Sequence, residues 1–173
     1  PRAHAAAYVM MAFRIAWFKV HMPDAFYAVY FSVRADAFDV SMARGGEERV
    51  LRIITAIRDK GNSAEQKEQD LLVILEVVYE MNRRGIKLLN VDIYKSDATK
   101  FTIEKDGLRP PFSAVAGVGV TAAEGIGAAD RNVAFNSIED FRARTKANSG
   151  VVDKLRELGC FDGLAESNQV SFF

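Results

Sequence analysis

The chain begins with two consecutive apolar segments, HAAAYVMMAFRIAWFKVH and DAFYAVYFSVRA, divided at Met22-Pro23. Val9, Phe13, Trp17 and Val20 recur at helical spacing, with Arg14 and Lys19 off that face. Proline tolerates only the first turn of a helix, so Pro23 ends one helix and opens the next. The uncharged run between His4 and Arg14 falls far short of the ~20 residues a membrane span needs, so no membrane partner is expected. The expectation is a pair of buried helices packed against other protein. The chain also opens on Pro1-Arg2, without Met and already inside a helical pattern, which suggests a piece of something longer.

Hydrophobic residues make up 49% and charged residues 27%, a balance that folds rather than stays disordered. EERVLRIITAIRDKG reads as a helix stopping at Gly61. SAEQKEQDLLVILEVVYEMNRRG reads as another, with a Leu71, Leu75, Val78 stripe, a capping box from Ser63 to Gln66, cations Arg83 and Arg84 in the last turn, and Gly85 just beyond. KFTIEKDGLRP alternates around Asp106-Gly107 and predicts one short β-hairpin. Pro110-Pro111 follows as a stiff boundary. Three short helical pieces come next, with Ser137 and Ser149 as expected caps and Gly159 as a stop. The fold class is therefore mainly α, in two parts joined near residues 90–110.

VAGVGVTAAEGI carries the most information about function. Gly117 and Gly119 bracket a turn, Val115 and Val118 are apolar, and Ala123 and Ile126 follow at helical spacing. This is a helix-hairpin-helix pattern. The N–H groups of Val118, Gly119 and Val120, with Thr121 next, would face a phosphate at a helix N-terminus. Such a contact recognises backbone phosphate rather than base sequence. The other reading is a glycine turn between two core helices, and spacing alone leaves both open. A dinucleotide site is disfavoured because no strand precedes the glycines. SIEDFRARTKANSGVVDKLRELG repeats the plan with Lys146 in its turn. Gly125, inside the following helix, is unexpected, since glycine there costs roughly 1 kcal/mol.

Twenty-three basic residues balance 23 acidic ones, so any contact with DNA must be local. Lys100, Arg109 and Lys146 are the cations expected to supply it. His4 and His21 lack partners at metal-ligand spacing, and Asp36 and Asp39 read as turn residues. The single Cys160 reads as a small buried residue and fits a reducing cytoplasm. No catalytic residue, metal site or bound cofactor is expected in this chain.

PRAHAAAYVMMAFRIAWFKVHMPDAFYAVYFSVRADAFD, LLVILEVVYEMNRRG, DIYKSDATKFTIEKDGLRPPFSAVAGVG and KLRELGCFDGLAESNQVSFF, in this order, resemble the C-terminal part of PolC-type alpha subunits of bacterial DNA polymerase III, C-family replicative polymerases. The resemblance implies fingers helices over 1–90, a connector with a β-hairpin over 91–110, a tandem helix-hairpin-helix duplex-binding domain over 111–165, and a clamp-binding tail over 166–173. It also implies that the palm aspartates, with their Mg2+, precede this stretch, so that the chain alone would not polymerise. Arg2 and His4 match the family's basic-x-His stretch at the start of a fingers helix, which implies that they face the incoming nucleoside triphosphate or the template; a locally bonded helix-start histidine is the alternative for His4. The last residues, Gln169, Val170, Ser171, Phe172 and Phe173, match a peptide that seats in the sliding clamp, with Val170 and Phe172 where leucine is usual. A free-standing DNA-binding adaptor is the competing reading.

Overall fold

The computed structural model describes residues 2–168. The expected tail residues Gln169, Val170, Ser171, Phe172 and Phe173 therefore lie outside the described residues, as does Pro1. Helices α1 (Arg2–His21), α2 (Pro23–Val33), α3 (Val40–Ala43), α4 (Gly46–Asp59) and α5 (Gln66–Arg83) come first. An antiparallel pair follows, β1 (Thr102–Glu104) with β2 (Gly107–Arg109), and then α6 (Val120–Ala128), α7 (Ile138–Thr145) and α8 (Ser149–Glu157). The fold is mainly helical, with one small hairpin. No described helix is long and apolar enough to cross a membrane.

Helix α1 departs from expectation. It was expected to be buried, yet none of its residues is. Tyr8, Phe13, Trp17 and Val20 are each more than half exposed. Its apolar residues surround the axis instead of forming one stripe, so packing on α2 can cover only part of them. A charge cluster pins its last turn. Lys19 Nζ lies 2.7 Å from Glu80 Oε2 on α5, and Arg84 donates to the Lys19 carbonyl at 3.1 Å. Burial pushes the Glu80 carboxyl up, but the hydrogen bond and charge of Lys19, with Arg84, hold it below the usual carboxylate range.

The core starts at α2, whose Tyr27, Ala28 and Phe31 are buried. On α5 the buried positions Leu71, Ile74, Leu75, Val78 and Met81 make one stripe, which faces Val50, Ile54 and Ile57 of α4. Phe31, Phe38 and Phe101 meet with ring centroids 5.0–5.5 Å apart, drawing the segment before β1 onto α2. Leu108 and Phe112 continue this core into Phe135, Phe141 and Phe161. One contiguous hydrophobic cluster thus runs from Tyr27 to Phe161, through both parts of the chain.

Local signals are displaced by one or two residues. The cap of α5 is Glu65 rather than Ser63, in a capping box with Glu68. Ser63 instead ends a short 3-10 turn. Asn148 rather than Ser149 caps α8, accepting from Val151 N at 2.9 Å, because its amide oxygen reaches the third N–H. Ser137 caps α7 as expected. The hairpin's two loop residues are Lys105 and Asp106, with Gly107 paired to Glu104. The segment near Leu88, which precedes the hairpin, adds a parallel bridge to β2, with Leu89 N on Leu108 O at 2.8 Å, which no sequence pattern announced.

Gly125 is accounted for by packing. A Cβ there would stand 3.2 Å from the Thr145 carbonyl, so glycine permits α6 to cross the end of α7 closely. At the far end, residues 165–168 return to the start of α7. Ile138 N donates to Ala165 O at 2.9 Å, Glu139 N to Glu166 O at 3.2 Å, and Ser137 Oγ bonds Asn168 Oδ1 at 2.8 Å. Arg156 pairs with Glu166 at 3.0 Å.

Candidate nucleic-acid interface

The glycine turn opens directly onto α6. The helix expected before it is a single 3-10 turn, Phe112–Ala114, because Pro110-Pro111 leaves no room for more. Gly117 has φ 88°, in the left-handed region that side chains other than glycine rarely adopt. Gly119 is the N-cap at φ −70° and ψ 159°, a conformation open to any residue, and a Cβ added there would meet nothing within 4 Å. Folding therefore does not require glycine at 119. What it provides is an uncovered backbone at the start of a helix.

The donors at this site shift relative to expectation. Val118 N–H is consumed by the turn, donating to Val115 O at 2.9 Å, and its side chain is buried. The first intrahelical acceptor, Gly119 O, is taken by Ala123 N at 3.0 Å. That leaves the N–H groups of Gly119, Val120, Thr121 and Ala122 without a protein acceptor, and no side chain caps them. Several convergent donors at the positive end of a helix dipole form an anion site.

The second unit reproduces this backbone. Lys146, two residues before the cap Asn148, has φ 57° and is the one residue other than glycine with positive φ among those described. Ala147 is buried as Val118 is. The two units differ in their donors, because Asn148 Oδ1 already occupies the Val151 N–H. The Lys146 side chain is exposed and unpaired.

The remaining expected cations are placed elsewhere. Arg109 is 9% exposed and fully committed. It donates to Glu104 Oε2 at 2.8 Å and to the Asn90 carbonyl at 2.7 Å, and lies 3.9 Å from Asp92. Its hydrogen bond holds the Glu104 carboxyl below the usual range, against the upward push of burial. Arg109 is thus an internal strap and not a surface cation. Lys100 is exposed but lines a hollow over α2 with Val29, Val33 and Phe101. Arg2 and His4 are exposed near the free end of α1. The His4 ring meets Tyr8 edge-on at 4.5 Å, and no hydrogen bond holds it.

Sequence reading missed Lys154. Its stem lies 3.9 Å from where a Cβ on Gly117 would be, which brings α8 of the second unit against the first turn. Only tertiary packing reveals this. Cys160 is partly buried, donates to the Val91 carbonyl at 3.4 Å, and is pushed by burial up to about 12. Burial thus disfavours the thiolate that a nucleophile needs. No group of three or more His, Cys, Asp or Glu among the described residues is placed to hold a metal ion.

A profile of the helix-hairpin-helix motif matches residues 85–170. Over all 173 residues the sequence is 53% identical to the DNA polymerase III PolC-type of Caldanaerobacter subterraneus. It is 49% identical to that of Clostridium perfringens and 46% to that of Listeria welshimeri, also along its whole length. In each case the chain spans 12% of the relative's length. With its mainly helical fold and its paired hairpins, the chain is similar along its whole length to one stretch of PolC-type DNA polymerase III and carries the helix-hairpin-helix motif.

Proposed function

We propose that this chain serves a bacterial replicative DNA polymerase by gripping product duplex through backbone phosphate, without sequence preference, at the N-terminus of α6. The observation that carries this reading is the set of unanswered N–H groups at Gly119, Val120, Thr121 and Ala122, beneath a cap position with no side chain. Lys146 on the second hairpin is the proposed partner contact on the other strand. Residues 1–90 are proposed as fingers helices, with Arg2 and His4 facing the nucleoside triphosphate. The metal-dependent chemistry, with its Mg2+, is proposed to belong to palm aspartates preceding this stretch, as the family resemblance implies. Gln169, Val170, Ser171, Phe172 and Phe173 are the proposed clamp tether, supported by their match to the family's terminal peptide.

Gly119→Asn tests the grip with opposite signs. Asparagine is a better cap than glycine by a few tenths of a kcal/mol, and nothing obstructs its Cβ. It would occupy the Ala122 N–H of α6 as Asn148 occupies the Val151 N–H of α8. Melting should be unchanged or slightly raised. Duplex affinity should fall about tenfold, since hydrogen bonds to a charged group contribute about 1.5–3 kcal/mol. An unchanged affinity in a folded variant would show that α6 does not touch the phosphate.

A further inference from the structure

We propose that Lys67, on the first turn of α5, is a second phosphate contact for the strand held at α6, so that the α2–α5 half of the molecule shares in gripping the duplex. This rests on the reading of the hairpin as a phosphate grip. Lys67 and the turn residues Gly117, Gly119 and Val120 line one groove of about 370 Å3, whose other walls include Phe38 and Leu71. One observation beyond the helix N-terminus points to a ligand there. Ser113 lines the same groove, is 7% exposed, and its hydroxyl has no hydrogen-bond partner. Lys67 is exposed and its ammonium is committed to no carboxylate, so it is free to meet an anion in the groove.

The groove also contains two carboxylates, and these make the lysine decisive. Asp39 Oδ1 caps α3, accepting from Ser41 N at 2.9 Å and Ser41 Oγ at 2.6 Å. Asp70 Oδ1 accepts from Gln66 Nε2 at 2.9 Å. Hydrogen bonds hold both in place but do not remove their charge. A phosphate at the α6 N-terminus therefore faces two negative groups across the groove, and Lys67 is the one cation lining it. Removing that cation and removing one of the carboxylates should act in opposite directions.

The test is duplex affinity of the full chain, measured across a salt series with a 20-base-pair probe of arbitrary sequence. Each phosphate contact contributes a slope of about 0.9 in log affinity against log salt. Lys67→Gln should reduce the slope by roughly that amount and weaken binding about three- to tenfold at low salt. Asp70→Asn should tighten binding. Lys105→Gln, at the exposed tip of the β-hairpin, should change neither slope nor affinity. If Gly119→Asn weakens binding while Lys67→Gln leaves the slope intact, Lys67 is no contact and the hairpin grip stands. If Lys67→Gln and Lys105→Gln weaken binding equally, the effect is general charge and the inference falls. If neither Gly119→Asn nor Lys67→Gln changes affinity, both readings fall together.

Discussion

A guanidinium with nine-tenths of its surface removed from water must have its charge answered, and Arg109 is answered three times. Glu104 lies on the facing strand, Asn90 supplies a carbonyl from the preceding segment, and Asp92 stands at 3.9 Å. Arg109→Met should therefore cost about 2 kcal/mol, less than the 3–5 of a fully buried broken pair because Glu104 keeps partial contact with water. Duplex affinity should not change. The cost should also depend on pH. The folded Glu104 carboxyl titrates below its unfolded value, so its share of stability is complete above the ordinary glutamate range and is lost as pH falls through the depressed value. Urea midpoints of the two proteins should differ clearly at pH 7 and converge toward pH 3. An undiminished difference at low pH would assign the strap to packing alone.

At the scale of elements, α1 stands apart. It buries none of its residues, and the body holds it mainly through its last turn. Removing residues 1–18, which keeps the Lys19–Glu80 pair, should lower stability by less than about 1 kcal/mol and reduce concentration-dependent association in sedimentation. A loss of several kcal/mol would mean that α1 supports the core. The sequence revealed that this helix exists, because Pro23 and the apolar spacing are local signals. It could not reveal the exposure, since apolar residues demand a covering surface without naming which one. Caps follow the same logic. Ser137 was legible because its acceptor and donor lie three residues apart, whereas Asn148 and Ser149 compete as neighbours and geometry chose Asn148. The two glycines of the hairpin were legible as a pair, but their separate roles were not, because φ at Gly117 and empty space at Gly119 are properties of the folded backbone. Lys67 and Lys154 converge on that turn from distant helices, and no spacing rule could place them there.

At the scale of the whole molecule, one core from Tyr27 to Phe161 makes helices α2 to α5 and the paired hairpins a single body. The proposed tether leaves that body at residues 165–168. Deleting Gln169 to Phe173 should abolish capture by a bacterial sliding clamp and leave melting and duplex affinity unchanged. For an intact tail a micromolar Kd, about −8 kcal/mol, is expected. Equal capture with and without the tail would remove the tether reading. The return strand at 165–168 has a mechanical consequence. Its bonds to Ile138 and Glu139 lie side by side, with the Ser137–Asn168 and Arg156–Glu166 contacts next to them. A load drawn along that segment stretches these contacts together in shear, while a load drawn across it peels them one after another. The segment would thus hold fast in one direction of pull and let go more readily in the other.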